Sequence, residues 1–286
     1  MAIGVYITFR ILDIADLTVD GSIATGAAVS VMLIRAGVSP IATLPIAFLA
    51  GALAGMVTGL LNTALGIPGI LASILTQISL YSINLNIMGK ANQPVSVDNY
   101  PLVVSLRYVT DGSVSRLLFF LGMIVFLLAL IAVMYWYFGT EQGHAIRATG
   151  CNSNMARAQG INTNFIKVLA LMISNGLVGL CGALYGQFQG ASDVNMGRGA
   201  IVIGLAAVII GEVLFGKFAS KRKLAFAFTL ASVILGAVIY YMVYQFVLWL
   251  KMPSEDMKLF SAIVVAIFLA IPYLKEKRTL RKGASK

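Results

Sequence analysis

The chain has 286 residues, 59% of them hydrophobic and only 11% charged, with a net charge of +10. Soluble domains carry about 25% charged residues, so a soluble globular protein is excluded. Nucleic-acid binding is the wrong reading of the basic excess, because membrane proteins concentrate Lys and Arg on their cytoplasmic side.

The apolar residues fall in runs of roughly 15–25, long enough to cross a hydrocarbon core about 30 Å thick. Alternating segments of about 10 residues, the mark of a membrane β-barrel, are lacking. The expected fold is all-α: one polytopic helical membrane domain spanning residues 1–286, with about 8–9 transmembrane segments. Cys151 lies in a polar loop and Cys181 in an apolar run, which argues against a structural disulfide. His144 is the single histidine, so there is no metal-site spacing and no metal is expected.

In chain order, the first apolar segment is Met1–Leu12, too short to span, which implies a helix that begins upstream or is only partly inserted. It leads directly into the body of the chain, without the signature of a cleaved signal peptide. The stretch "DIADLTVDGS" follows, with Asp13, Asp16 and Asp20 spaced so that one helical face would carry all three carboxylates. Repulsion among them predicts a break between helices, with Asp20 or Ser22 capping the helix that follows. Two versions stay open: a cytoplasmic turn, or a break partway into the membrane whose helix N-terminus at Ser22–Ile23 faces a solute.

The next segments are Ser22–Arg35, Ile41–Asn62 and Pro68–Met88. Gly51, Gly55 and Gly59 repeat every four residues, a spacing that lets helices approach closely where water does not drive association. Helix-to-helix contact within the chain is the ordinary reading and a subunit interface the sharper one. Ser73, Gln77, Tyr81, Asn84 and Met88 share one face of the next helix. A polar stripe in a membrane helix faces protein or a wet cavity. It is therefore either a set of interhelical hydrogen bonds or the lining of a path, and Asn62 and Asn175 carry the same two readings. A polar loop, residues 89–115, holds Pro94 and Pro101.

Arg116–Phe138 is followed by a polar loop at about 139–164. Within it, Asn152 or Ser153 as N-cap and Gly160 as the residue after the helix predict a thin helix of about two turns over 154–159. Ala156 and Ala158 keep it slim, and Arg147 and Arg157 flank it. Such a helix suits a groove on another protein. An amphipathic connector lying on anionic lipid headgroups accounts for it equally well.

The remaining segments are Phe165–Phe188, Ala200–Phe215, Leu224–Leu250 and Met257–Leu274, with Gly179, Gly182 and Gly186 as further packing positions. Glu212 is expected to pair with Lys217 or Arg222. The basic residues divide fourteen to seven between the two faces. The richer face carries the 139–164 loop, the loop at 217–223 and the tail 275–286, and is expected to be cytoplasmic. The N-terminus is then outside, the C-terminus inside and the 89–115 loop external.

The pattern T-x-x-G-x-x-I-R-A-x-G-x-N-x-x-x-A-x-x-x-G-I-N, Thr140 to Asn162, resembles the cytoplasmic coupling loop of bacterial ABC importer permeases of the branched-chain amino acid and ribose branch. "DLTVDGSIATGA" (Asp16–Ala27), "IPGILASILT" (Ile67–Thr76), "SNGLVGLCGALYGQ" (Ser174–Gln187) and "DVNMGRGAIVIGLAAVIIGEVLFG" (Asp193–Gly216) are similar to further stretches of that family. Together they resemble the branch proposed for tryptophan and tyrosine uptake.

The resemblance implies a permease that imports a small solute across the bacterial plasma membrane, with an amino acid, and an aromatic one in particular, as the expected cargo. Its implied partners are a second permease copy, cytoplasmic ATPase subunits and an external solute-binding protein or lipoprotein, all among membrane lipids and without nucleic acid. Gly143, Arg147, Asn152, Ala156, Arg157 and Gly160 would then serve ATPase coupling. Asp20, Ser22, Asn62, Ser73, Gln77, Tyr81, Asn84 and Asn175 are the candidates for the solute path. No G-x-x-x-x-G-K-[ST] occurs, so ATP and Mg are expected on the partner and no cofactor on this chain. The competing reading is an ion-coupled secondary carrier, which usually keeps ionisable groups inside the membrane; Asp13, Asp16, Asp20 and Glu212 can all be placed near interfaces. A membrane enzyme would need a nucleophile, a base or a metal cluster, and the sequence assembles none.

Overall fold

The computed structural model describes residues 1–96, 100, 102–105, 113–219 and 225–249, with 263, 266 and 270. The ninth apolar segment, the 217–223 charges from residue 220 onward and the basic tail lie outside or almost outside these residues, as does Arg222 as a partner for Glu212. Two compact units are present: Met1 with residues 3–201, and Ala2 with residues 202–286.

The first unit opens with α1 (Ala2–Tyr6), which continues through one π turn at Ile7–Ile11. Asp13, at φ 55, then reverses the chain in the left-handed region that Asp tolerates better than most residues. Next come α2 (Thr18–Arg35), α3 (Pro40–Thr63) and α4 (Gly69–Met88), then β1 (Asn92–Pro94). After the loop come α5 (Ser113–Phe138), α6 (Glu141–Cys151), α7 (Ser153–Ala158), α8 (Thr163–Gln189) and β2 (Ala191–Asp193). β1 and β2 pair antiparallel, with Gln93 opposite Ser192, so the all-α expectation gains one short ribbon.

Among the described residues five helices are long and apolar enough to cross a membrane: Pro40–Thr63, Gly69–Met88, Arg116–Phe138, Thr163–Gln189 and Ala225–Phe246. Each coincides within a few residues with a segment expected from the sequence. α2 is different. It is rich in small and polar residues, and most of its length is buried, including Thr18, Ser22, Thr25 and Ser30. A helix sheathed by protein needs no lipid-compatible face. α5 is the opposite case, with hardly any of its spanning stretch buried.

The break before α2 falls at residues 12–17, earlier than the sequence suggests. Asp16 supplies the acceptor for the Thr18 N–H at 3.0 Å, so the helix starts there. Asp20 and Ser22 therefore lie inside α2 and cap nothing on it, which corrects both the expected N-cap and the expected helix N-terminus at Ser22–Ile23.

The centre of this unit is the contact of α8 with α2 and α3. A Cβ on Gly51 would strike the Asn175 carbonyl, one on Gly55 the Leu171 carbonyl and one on Gly59 the Val168 backbone. On the other partner, a Cβ on Gly26 would strike Gly179 and one on Gly182 the Ile23 carbonyl. The glycine rows are thus contacts between helices of one chain, and Gly186 likewise faces Ala27. Close backbone approach replaces the hydrophobic drive that lipid does not supply.

Polar bonds cross the same interfaces. Thr18 of α2 bonds Thr58 of α3 at 2.7 Å, and Thr58 donates to Thr76 of α4 at 2.9 Å. Buried Gln187 donates to Ser30 Oγ at 3.1 Å and to Thr43 Oγ1 and the Pro40 carbonyl at 3.3 Å, and accepts from the Val103 N–H at 3.1 Å.

In the second unit α9 (Ala200–Ala219) and α10 (Ala225–Trp249) pack in the same manner. A Cβ on Gly211 would meet the Ser232 carbonyl and one on Gly236 the Ala207 carbonyl, beside a cluster of Ala206, Ile210 and Tyr240.

Overpacking a tight contact costs about 1–3 kcal/mol, occasionally more. Gly182→Val should therefore lower the melting temperature of the detergent-purified protein, whereas Gly122→Val, where nothing lies within 4 Å, should leave it unchanged. Equal melting of the two variants would contradict the packing account.

Candidate functional site

The polar segment between α5 and α8 is a built element with two helices; the longer one, α6, was not apparent from its sequence. Thr140 caps α6, its hydroxyl accepting from the Gly143 N–H at 3.4 Å, and Glu141 adds negative charge to the first turn. Gly143 sits against the backbone of Tyr137 and Phe138. The Arg147 guanidinium lies over the ring of fully buried Phe138, 5.5 Å from its centroid. Gly150 lies against the Ile11 carbonyl, which fastens α6 to the end of the first helical segment.

Asn152 caps α7, its Oδ1 accepting from the N–H groups of Asn154 at 3.1 Å and Met155 at 3.0 Å. The helix ends in a Schellman turn: the Ile161 N–H reaches the Ala156 carbonyl, the Gly160 N–H reaches the Arg157 carbonyl, and Gly160 is at φ 86. Arg157 Nη2 donates to Thr163 Oγ1 at 3.1 Å, tying α7 back to the first turn of α8. Asn162 then caps α8 through the Phe165 N–H.

Arg147 lies over the Phe138 ring and Arg157, itself exposed, donates to Thr163. One expectation changes here. Ala156 is buried against the protein, because the capped helix lies flat on its neighbours and the alanine faces inward. The large apolar residue that faces out is Met155, 61% exposed, alongside exposed Asn154, Arg157, Ala158 and Gln159. The sequence marked the helix but not its outward side, since six residues are too few to show a periodic face.

The candidates for the solute path separate into three groups. Asn62 and Ser73 bond locally, Asn62 Nδ2 to the Ile67 carbonyl at 2.8 Å and Ser73 Oγ to the Ile70 carbonyl at 2.8 Å. Ser22 and Asn175 form a buried network with Asp16. Ser22 Oγ donates to Asn175 Oδ1 at 2.7 Å, and Asn175 Nδ2 donates to Asp16 Oδ2 at 2.7 Å and to the Leu171 carbonyl at 3.1 Å. These three side chains are 2% exposed or less and join α2 to α8. They are interhelical fasteners, and Asp16 belongs to the packed interior.

Asp20, Gln77, Tyr81 and Asn84 come together. With Gly21, Ile78, Ser82, Val194, Asn195 and Arg198 they line a recess of about 310 Å³ between α2, α4 and the turn after β2. Asp20 is held by that turn: Oδ2 accepts from the Gly199 N–H and Oδ1 from the Ile201 N–H, both at 2.9 Å. It therefore caps a helix start nearly 180 positions away in sequence. Asn195 and Arg198 join the recess from the stretch Asp193–Gly216, which the sequence marked by resemblance but not as part of a solute path. Asn84 is 1% exposed, and neither atom of its carboxamide has a hydrogen-bond partner. A buried polar group left unpaired costs about 1–3 kcal/mol, so a ligand or water that pairs with Asn84 recovers that penalty.

Loss of a helix cap costs about 1–2 kcal/mol. Asp20→Ala should therefore lower thermal stability and speed proteolysis near residues 195–201, with Asp20→Asn intermediate. Cleavage and melting equal to the native chain would remove the capping role.

Comparison with known proteins agrees with this architecture. The family described as branched-chain amino acid transport system / permease component matches residues 1–272. A tyrosine transport system permease protein of Clostridioides difficile is 40% identical over 94% of this chain and 86% of its own length. An uncharacterized protein of Rickettsia prowazekii, RP368, is 32% identical over 94% of this chain and 92% of its own. The inner membrane ABC transporter permease protein YjfF of Escherichia coli is 27% identical over 74% and 63%. No solved structure matches. With its helices, its tightly packed small residues and a family match across nearly the whole chain, this multi-pass membrane protein belongs to the branched-chain amino acid transport system permease family of ABC importers.

Proposed function

We propose that two copies of this chain form the membrane pathway of an importer for an amino acid, with ATP and Mg bound by two cytoplasmic ATPase subunits and the solute delivered by an external binding protein or lipoprotein. The relative from Clostridioides difficile carries tyrosine in its name, which favours an aromatic amino acid. The chain sits in the bacterial plasma membrane with its N-terminus outside and its C-terminus in the cytoplasm, in keeping with the fourteen-to-seven division of basic residues.

The observation that carries the coupling role is Met155. It is a large apolar side chain, 61% exposed, on a helix capped at both ends and fastened to α8 through Arg157. Methionine is flexible and polarizable, suited to a groove on a partner. Because α7 is anchored, a displacement imposed on Met155 passes to α8 by way of Thr163 and to the first helical segment by way of Gly150. Asp20, Gln77, Tyr81 and Asn84 are the residues proposed to touch the moving solute, whereas Ser22, Asn62, Ser73 and Asn175 hold the helices around it.

An interface anchor is worth about 2 kcal/mol, or about 30-fold in affinity. Met155→Asp should reduce ATPase co-purification and ATP-driven uptake by that order while the protein still inserts. Ala156→Arg is the blunter probe, since it also disturbs a buried position. Full ATPase association and uptake in Met155→Asp would exclude the docking role.

A reporter fused after Lys286 should read cytoplasmic and one inserted at Asn99 external. The reverse result at both positions would overturn the orientation.

A further inference from the structure

We propose that the recess between α2, α4 and the turn 194–198 is a subsite for the head of an α-amino acid, read by the Asn84 carboxamide together with Arg198 and Asp20. The proposal rests on the importer reading above and names the chemical group recognised.

Three features converge on a zwitterion. Asn84 presents an N–H₂ and a carbonyl oxygen side by side, both unpaired at a position that is 1% exposed. One carboxamide donates to a carboxylate and accepts from an ammonium at the same time. An α-amino acid carries both groups on one carbon, so it uses both halves of the amide.

Arg198, exposed, lines the same recess, and its guanidinium makes no side-chain hydrogen bond or ion pair among the described residues. It matches the carboxylate. The Asp20 carboxylate completes the set. Each of its oxygens accepts one backbone N–H, which leaves acceptor capacity on both for an ammonium.

The charges decide between solute classes. A sugar would hydrogen-bond Arg198 and Asp20 but compensate neither charge. A simple anion would face Asp20, and a simple cation would face Arg198. A zwitterion matches each, and 310 Å³ holds one small solute. Tyr81, 43% exposed at the same recess, offers a ring surface to the remainder of the solute.

The test uses the full importer in membranes. Asn195→Cys, in a chain carrying Cys151→Ser and Cys181→Ala, is labelled with a membrane-impermeant maleimide; Asn195 is exposed and lines the recess. L-tyrosine and L-leucine are compared with tyramine, 3-(4-hydroxyphenyl)propionate and ribose. The expected result is labelling slowed about tenfold or more by an amino acid, and left unchanged by the amine, the acid lacking the amine, or the sugar. Adding Asn84→Leu should abolish the protection without lowering the melting temperature, and Arg198→Gln should raise the half-protecting concentration. Protection that survives Asn84→Leu, equal protection by a one-ended analogue, or a drop in melting temperature with Asn84→Leu would overturn the subsite. Absence of protection while the native importer still takes up amino acids would overturn the subsite and leave the importer reading standing. Failure of the native importer to take up any amino acid would overturn both.

Discussion

The close approach of α8 to α2 and α3 is the constraint on which the rest of the first unit depends. Gly26, Gly51, Gly55 and Gly182 remove the side chains that would hold these backbones apart. Only at that separation can Asn175 on α8 reach Asp16 and Ser22, across more than 150 positions of sequence. The order is physical: small residues set the distance, and the distance lets short polar side chains bond across helices. In a bilayer the unpaired alternative is costly for each such group, so the packing and the hydrogen bonds support one another.

Much of this was legible in sequence. The extents of α3, α4, α5 and α8 follow from hydropathy, because lipid imposes a length and a composition on any helix that touches it. The glycine rows were legible for the same reason. α2 was legible only as a run from Ser22, since its first turn is polar and its acceptor, Asp16, lies outside the apolar stretch. Asp20 could not be placed at all, because its partners at 199 and 201 are set by tertiary approach and no local pattern encodes them. The coupling segment gave its caps, Asn152 and Gly160, since capping is local chemistry. It did not give α6, whose polar composition hides it from a search for apolar periodicity, nor the inward turn of Ala156.

The contrast between neighbouring polar residues separates scaffold from site more clearly than their spacing does. Ser73 and Asn84 share one face of α4, and both are buried. The hydroxyl of Ser73 finds a carbonyl three residues back, whereas the Asn84 amide finds no partner. Gln187 and Asn175 are also buried amides, and each makes several bonds. Satisfied amides hold this protein together. An unsatisfied one is tolerated where a polar recess adjoins it.

The burial of α2 also has a consequence for how the chain is made. Its polar groups at Thr18, Ser22 and Ser30 are covered in part by Thr58, Asn175, Thr43 and Gln187, and two of those partners lie on α8, which leaves the ribosome well over a hundred residues later. Until α8 arrives, Ser22 and Ser30 of α2 lack two of their hydrogen-bond partners, Asn175 and Gln187. In that interval α2 can shelter against α3 through the Thr18–Thr58 and Ser30–Thr43 pairs, which are available early. Biogenesis thus has a vulnerable interval, opened by the synthesis of α2 and closed by the docking of α8, in which a stalled or truncated chain is exposed to membrane quality control.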